Sequence, residues 1–340
     1  VSNNKNSRPI KRGGYFVYFT KKTGLLYHIL LFLIRMALKI FCVSIKVYNK
    51  TALHQKGPLL IVANHPDSFF DALVIAANCK YPVSFLARGD VFTKPWHNFL
   101  LRSLNMMPVY RQREGKEHLH KNQNSFDASV EVLKNGGILL IFIEGTCLNK
   151  NEIQPFKKGA ARILQQAVAQ GISPTVLPAV IMYNGFKHFG KKILLMLGKN
   201  VAATDFFKTN TEYPNAALER NNFNNHVMEE MMSLFKEPPS KKYKRPIYLF
   251  PIIGIAWFWH APLYVLIKTF VGHKTKGTVF YDSVLFAILL FVYPLYLILL
   301  FMLLHAIGVP NWMNAFIITA HPLLAIIYTR SKNNLTTFLL

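Results

Sequence analysis

Between residues 51 and about 210, short apolar runs alternate with longer stretches of helical period. The runs at 59–63, 83–87, 106–110, 138–143, 175–182 and 193–197 are compact and aliphatic, as buried strands are. Segments 69–78, 124–134 and 158–169 place apolar residues at helical spacing between them, and 213–235 reads as one more surface helix. Strands alternating with helices predict an α/β fold: a mixed, largely parallel sheet flanked by helices. No internal repeat is visible.

Outside that segment the pattern changes. Residues 25–43, LLYHILLFLIRMALKIFCV, are long enough to be weighed as a span, but Arg35 and Lys39 stand four apart on one face. We read an amphipathic helix lying in the membrane interface, with a true span as the alternative. Residues 280–305 and 312–328 are long and apolar enough to span. The loop between them is uncharged, whereas Lys274, Lys276, Arg330 and Lys332 flank the outer ends. Basic flanks predict a hairpin with both outer ends in the cytoplasm, hence a cytoplasmic (inner) membrane with the α/β part on its cytoplasmic face. Residues 247–268 are apolar but carry Pro251, Gly254 and Pro262, which suggests a re-entrant or interfacial element. The expected organisation is a basic N-terminus and interfacial helix (1–50), an α/β domain (51–240) and a C-terminal membrane region (241–340).

Charge sharpens the partner. With 40 Lys and Arg against 16 Asp and Glu, the formal charge is +24, yet hydrophobic residues reach 51%. Mean hydropathy is +0.21. A chain both basic and greasy suits a bilayer with anionic lipids better than nucleic acid, and no nucleic-acid motif is present. Cys42, Cys79 and Cys147 make neither a paired framework nor a metal spacing. No small-residue cleavage site follows the first apolar run, so no cleavable leader is expected.

Four stretches carry candidate chemistry. In LLIVANHPDSFFD, residues 59–71, a strand stops at Asn64-His65 and Asp71 follows six positions beyond the histidine. A histidine at the carboxyl end of a sheet strand can take a proton near neutral pH, with Asp71 or Asp67 fixing its tautomer. Equally, His65 can be loop punctuation, with Asp67 or Ser68 capping the next helix. The spacing matches no closed metal site, and no metal is expected. Glu144-Gly145-Thr146 ends a second strand before PFKKG, where backbone donors and Lys157 can hold a phosphate or carboxylate, or simply make a solvated turn. Arg111 and Arg113 follow a short strand and can pair with phosphate or sit in water. Pro178 lies in an apolar strand, which suggests an edge or bulge.

Taken in order, His with a downstream Asp, then Pro-Val-x-Arg, Phe-x-Glu-Gly-Thr and Leu-Pro-Ala resemble the four-block signature of the glycerolipid acyltransferase superfamily, over roughly residues 50–235. The resemblance implies that His65 is the general base and Asp71 its orienting carboxylate. It places Asn64, Arg111, Glu144, Gly145 and Thr146 around the acceptor site and Pro178 in the acyl-donor block. Two departures stand out: five residues rather than four separate His65 from Asp71, and Cys147 stands where the common motif has arginine. Both are similar to a branch holding fungal-type glycerol-3-phosphate acyltransferases and related bacterial proteins. The acceptor phosphate is then expected at Arg88, Arg111, Arg113 or Lys157. The implied reaction moves an acyl group from acyl-CoA or acyl-carrier protein to 1-acylglycerol 3-phosphate, giving phosphatidic acid. Glycerol 3-phosphate and an amino-acid lipid are the alternative acceptors, and a non-enzymatic scaffold or transporter is the rival class. No cofactor is expected beyond the acyl co-substrate.

Overall fold

The computed structural model describes residues 24–109, 119–208, 215–236 and 250–332. The basic segment 1–23, Arg111 and Arg113 lie outside the described residues.

In chain order the elements are α1 (Leu25–Phe41), β1 (Cys42–Tyr48), β2 (Leu59–Ala63), α2 (Phe69–Asn78), β3 (Val83–Arg88), α3 (Pro95–Ser103), β4 (Met106–Val109), α4 (Leu119–Lys134), β5 (Ile138–Phe142), α5 (Gly159–Ala169), β6 (Thr175–Tyr183), β7 (Lys191–Leu197), β8 (Val201–Ala202), α6 (Ala216–Leu234), α7 (Phe250–Lys274), α8 (Tyr281–Ala306) and α9 (Asn311–Lys332). The strands form one sheet in the order β1-β7-β6-β2-β5-β3-β4, with β8 paired to β6. β4, β3, β5, β2 and β6 are mutually parallel, and β7 turns back antiparallel to β6. The predicted mixed, largely parallel sheet is therefore present.

Leu59–Ala63 is buried along its whole length, as a central strand covered on both faces must be. Its side chains alternate between two cores. Leu59, Ile61 and Ala63 face a cluster that includes α1, α2 and α8, whereas Leu60 and Val62 face α4, α5 and α6. The sheet thus sits between a layer that includes α1, α2 and α8 and a layer of α4, α5 and α6.

Three elements depart from the sequence expectation. The helix expected through residue 43 ends at Phe41, because Cys42 is already extended and Cys42–Tyr48 pairs in parallel with β7. Pro95–Ser103 forms a helix that the sequence reading did not assign, although Trp96, Phe99 and Leu100 stand at helical spacing. In place of an interrupted element at 247–268, one helix runs from Phe250 to Lys274 through Pro251, Gly254 and Pro262. Pro251 lies in the first turn, where its missing N–H costs nothing, and Pro262 forfeits one bond within a long helix. Among the described residues, three helices are long and apolar enough to cross a membrane: Pro251–Lys274, Tyr281–Ala306 and Asn311–Arg330.

α1 packs Tyr27, Leu30, Leu31, Ile34, Leu38 and Phe41 inward. Arg35 does not face solvent alone. Its Nε donates to the Ala77 carbonyl at 2.8 Å and a terminal nitrogen donates to that of Cys79 at 2.9 Å, closing the carboxyl end of α2. Leu25, Ile29, Phe32 and Met36 stay exposed on the far face.

Candidate active site

β2 ends level with β5, while its other neighbour β6 continues to Tyr183. The buried Asn64 side chain extends the pairing with β6: its Nδ2 donates to the Ile181 carbonyl at 3.0 Å, and the Ile181 N–H donates to its Oδ1 at 2.8 Å. Both ends of the amide are engaged, so Asn64 braces the strand end. His65 follows at the carboxyl edge of the sheet, with its side chain 18% exposed. Its ring stacks on Phe142 of β5, with centroids 3.9 Å apart and planes at 10°.

His65 Nδ1 lies 2.9 Å from Asp71 Oδ2. Asp71 is in the first turn of α2 and fully buried. Its carboxylate is fixed from two further sides. Oδ2 accepts the Asp67 N–H at 2.8 Å, and Oδ1 accepts the Tyr183 hydroxyl at 2.6 Å. The longer turn reaches because Ser68 takes φ 55° and ψ −141°, a left-handed excursion that a non-glycine residue makes only when its surroundings hold it. Neither Asp67 nor Ser68 caps α2 through its side chain. The Asp67 carboxylate points away from His65, to Lys191 Nζ at 2.9 Å.

At the end of β5, the carboxylate of Glu144 turns inward. Oε2 accepts the His65 N–H at 3.1 Å and Oε1 accepts the Gln154 N–H at 3.0 Å. Burial pushes its carboxyl from 4.5 to about 7, against the pull of those two N–H groups. Gly145 and Thr146 are exposed. Gly145 has φ +63°, a conformation that favours glycine, and a Cβ there would press on Lys157 Cγ at 3.0 Å. Lys157 is exposed, and its N–H donates to the Ile143 carbonyl at 2.8 Å. Cys147 Sγ accepts the Ser68 N–H at 3.0 Å and so ties the two turns together. Burial pushes its thiol up, and the Asp71 charge adds to this, which makes it a poor nucleophile.

Arg88 ends β3 with its guanidinium on Asp90, Nε to Oδ1 at 3.1 Å, and Phe280 lies beneath it. Pro178 is buried in interior strand β6, not at an edge. It sits where β6 passes from its pairing with β8 to that with β7, and its carbonyl accepts the Gly198 N–H at 2.9 Å. Its missing N–H therefore falls at an interruption in the ladder.

Sequence reasoning missed Tyr183 and Lys191. Burial pushes the Tyr183 hydroxyl up, with the Asp71 charge next in weight, so it remains a neutral donor. The signal for Lys191 was strand alternation: continuing 193, 195, 197 back by two puts it on the inward face. Among the described residues, no group of three His, Cys, Asp or Glu converges as a metal site.

Residues 44–182 match the family model described as Acyltransferase. A lyso-ornithine lipid O-acyltransferase of Brucella abortus (strain 2308) is 29% identical over 153 residues, covering 44% of this chain and 53% of that protein. Lysophosphatidylcholine acyltransferase 2B of Rattus norvegicus is 32% identical over 135 residues, covering 39% of this chain and 25% of that one. The matches thus span about half and about a quarter of these relatives' own lengths. The crystal structure of the 1-acyl-sn-glycerophosphate (LPA) acyltransferase PlsC from Thermotoga maritima has TM-score 0.42 at 20% identity, covering 64% of this chain and 83% of that one.

Proposed function

We propose that residues 44–182, which match the family model described as Acyltransferase, form a glycerolipid acyltransferase domain that acylates the sn-2 hydroxyl of 1-acylglycerol 3-phosphate. The donor is an acyl thioester, acyl-CoA or acyl-carrier protein, and the product is phosphatidic acid. The observation that carries the reading is the 2.9 Å contact between His65 Nδ1 and Asp71 Oδ2 at a sheet edge. With Asp71 ionised, Nδ1 keeps its proton and Nε2 is the base.

In this mechanism Nε2 takes the proton of the acceptor hydroxyl as its oxygen attacks the thioester carbonyl. Asp71 stabilises the imidazolium. The tetrahedral intermediate then collapses, the C–S bond breaks, and the thiolate leaves with the proton from Nε2. No acyl-enzyme forms, in keeping with the raised Cys147 thiol. The exposed Gly145, Thr146 and Lys157 beside His65 are where the acceptor headgroup would rest. The three spanning-length helices and the anionic-lipid affinity of a +24 chain suit a site at the cytoplasmic face of the inner membrane.

A second reading has one observation in its favour: the Brucella relative is named for lyso-ornithine lipid. Purified protein in vesicles, given radiolabelled acyl thioester, is offered 1-acylglycerol 3-phosphate, glycerol 3-phosphate or lyso-ornithine lipid in separate reactions. Label in phosphatidic acid is expected. Label only in ornithine lipid, or only in the product of glycerol 3-phosphate, replaces the acceptor. Label in none of the three overturns the enzymatic reading.

A further inference from the structure

Beyond Glu237 the chain contains a single acidic residue, Asp282. It opens α8, the most apolar of the spanning-length helices, and it is 1% exposed. Its Oδ2 receives Lys191 Nζ at 2.8 Å and the Lys187 N–H at 2.7 Å. The same ammonium reaches Asp67 Oδ2 at 2.9 Å and the Gly185 carbonyl at 3.0 Å. The ammonium thus donates to one carbonyl and is ion-paired with two buried carboxylates. The rings of Tyr183, Phe186 and Phe70 surround it at 4.9, 5.4 and 6.0 Å. The next residue, Ser283, bridges the catalytic turn. Its hydroxyl accepts the Phe70 N–H at 3.1 Å and lies 3.4 Å from the Asp67 carbonyl, to which it donates.

We infer that Asp282 and Ser283 are positioning residues for the His65–Asp71 pair, so that the first turn of a membrane-region helix is a working part of the acyl-transfer site. The inference rests on the function proposed above. The path is short and continuous. Asp282 and Asp67 share one ammonium, and the N–H of Asp67 is a donor to the Asp71 oxygen that faces His65. Ser283 holds the carbonyl and the N–H that bracket Ser68, the residue with positive φ. A buried ion cluster is a costly way to gain stability, and its best-attested use is to fix one arrangement among several. Here the arrangement fixed is the turn that carries the base. Burial pushes the Asp67 carboxyl well up, and Lys191 opposes this while Asp282 adds to it, so the charged form of Asp67 depends on its place beside the ammonium.

The test uses the full chain in vesicles with Asp282→Asn, Ser283→Ala, Ser283→Thr, Asp67→Asn and the Asp67→Asn/Asp282→Asn pair. Tyr293→Phe, further along the same helix, controls for disturbance of the bundle and should leave kcat unchanged. Asp282→Asn is expected to lower kcat about tenfold with KM moved less than about threefold, the signature of lost transition-state placement. Ser283→Ala should lower kcat about threefold and Ser283→Thr should restore it. The double variant should be no slower than the slower single, because residues acting as one unit are not additive. A second readout needs no turnover: the rate at which diethyl pyrocarbonate modifies His65, followed by peptide mass spectrometry against His54 and His97. It should change in Asp282→Asn at His65 alone. Should the wild-type protein transfer no acyl group, the proposed function falls and the modification rates still decide this inference. Unchanged kcat and unchanged His65 rates would overturn it, as would losses that multiply in the double variant or appear in KM alone.

Discussion

The turns after β2 and after β5 lie side by side at the same edge of the sheet, yet they are built in opposite ways. In the first, Asn64, Asp67 and Asp71 are fully buried, and their partners come from β6 and β7. In the second, Gly145 and Thr146 are exposed, while Glu144, Cys147 and Asn149 reach back onto backbone groups. The first turn is held from inside, as a base that must keep one orientation requires. The second leaves Gly145, Thr146 and the Lys157 side chain exposed, where the proposed function would place a charged headgroup. On the proposed function, the two loops would divide the labour of placing the base and meeting the substrate.

Three changes test that division. His65→Ala should abolish most turnover, by about 10²–10⁴-fold, while leaving the circular dichroism spectrum and melting cooperativity intact. A folded variant with full activity would remove the base from the first turn. Next in size, Tyr183→Phe deletes the 2.6 Å bond to Asp71 Oδ1 without changing shape. It should lower kcat about tenfold, with little effect on KM, if that turn serves placement alone. The smallest effect belongs to Glu144, the inward member of the outward turn. Its folded-state carboxyl sits at about 7 against an ordinary 4.5. Between those values the folded protein binds more protons than the unfolded chain, so its stability falls as pH rises through the window. Chemical denaturation of the wild type and Glu144→Gln should show a difference that shrinks by about 3 kcal/mol or less from pH 4.5 to pH 7. A flat difference would mean that Glu144 is ionised throughout.

The periodic part of the chain was read well from sequence. β2 and α2 begin and end where the apolar pattern predicts. The other predicted strands and helices fall within a few residues of their observed bounds. β1 was hidden because its residues continue the apolar run of α1, and only pairing with β7, some 150 residues later, reveals an extended backbone. At the site, the local pair could be read and its supports could not. His65 and Asp71 are six apart, and geometry now separates Asp71 from Asp67. Tyr183 and Asp282, by contrast, stand 112 and 95 residues from their hydrogen-bond partners. Such contacts are made by sheet order and helix docking, which no window of sequence contains. The cysteine at 147 is a related case. It reads as a missing arginine, but the fold uses its sulfur to hold the neighbouring turn.

The Ser283–Phe70 hydrogen bond joins groups 213 residues apart, and that separation has a meaning in time. A ribosome adds residues at about 5–20 per second, so roughly 10–40 s pass between synthesis of the catalytic turn and synthesis of its last support. Until the start of α8 leaves the exit tunnel, the turn bearing His65 lacks the hydroxyl that brackets Ser68. On the proposed function, the site would be completed only after α7 and the opening of α8 have been made.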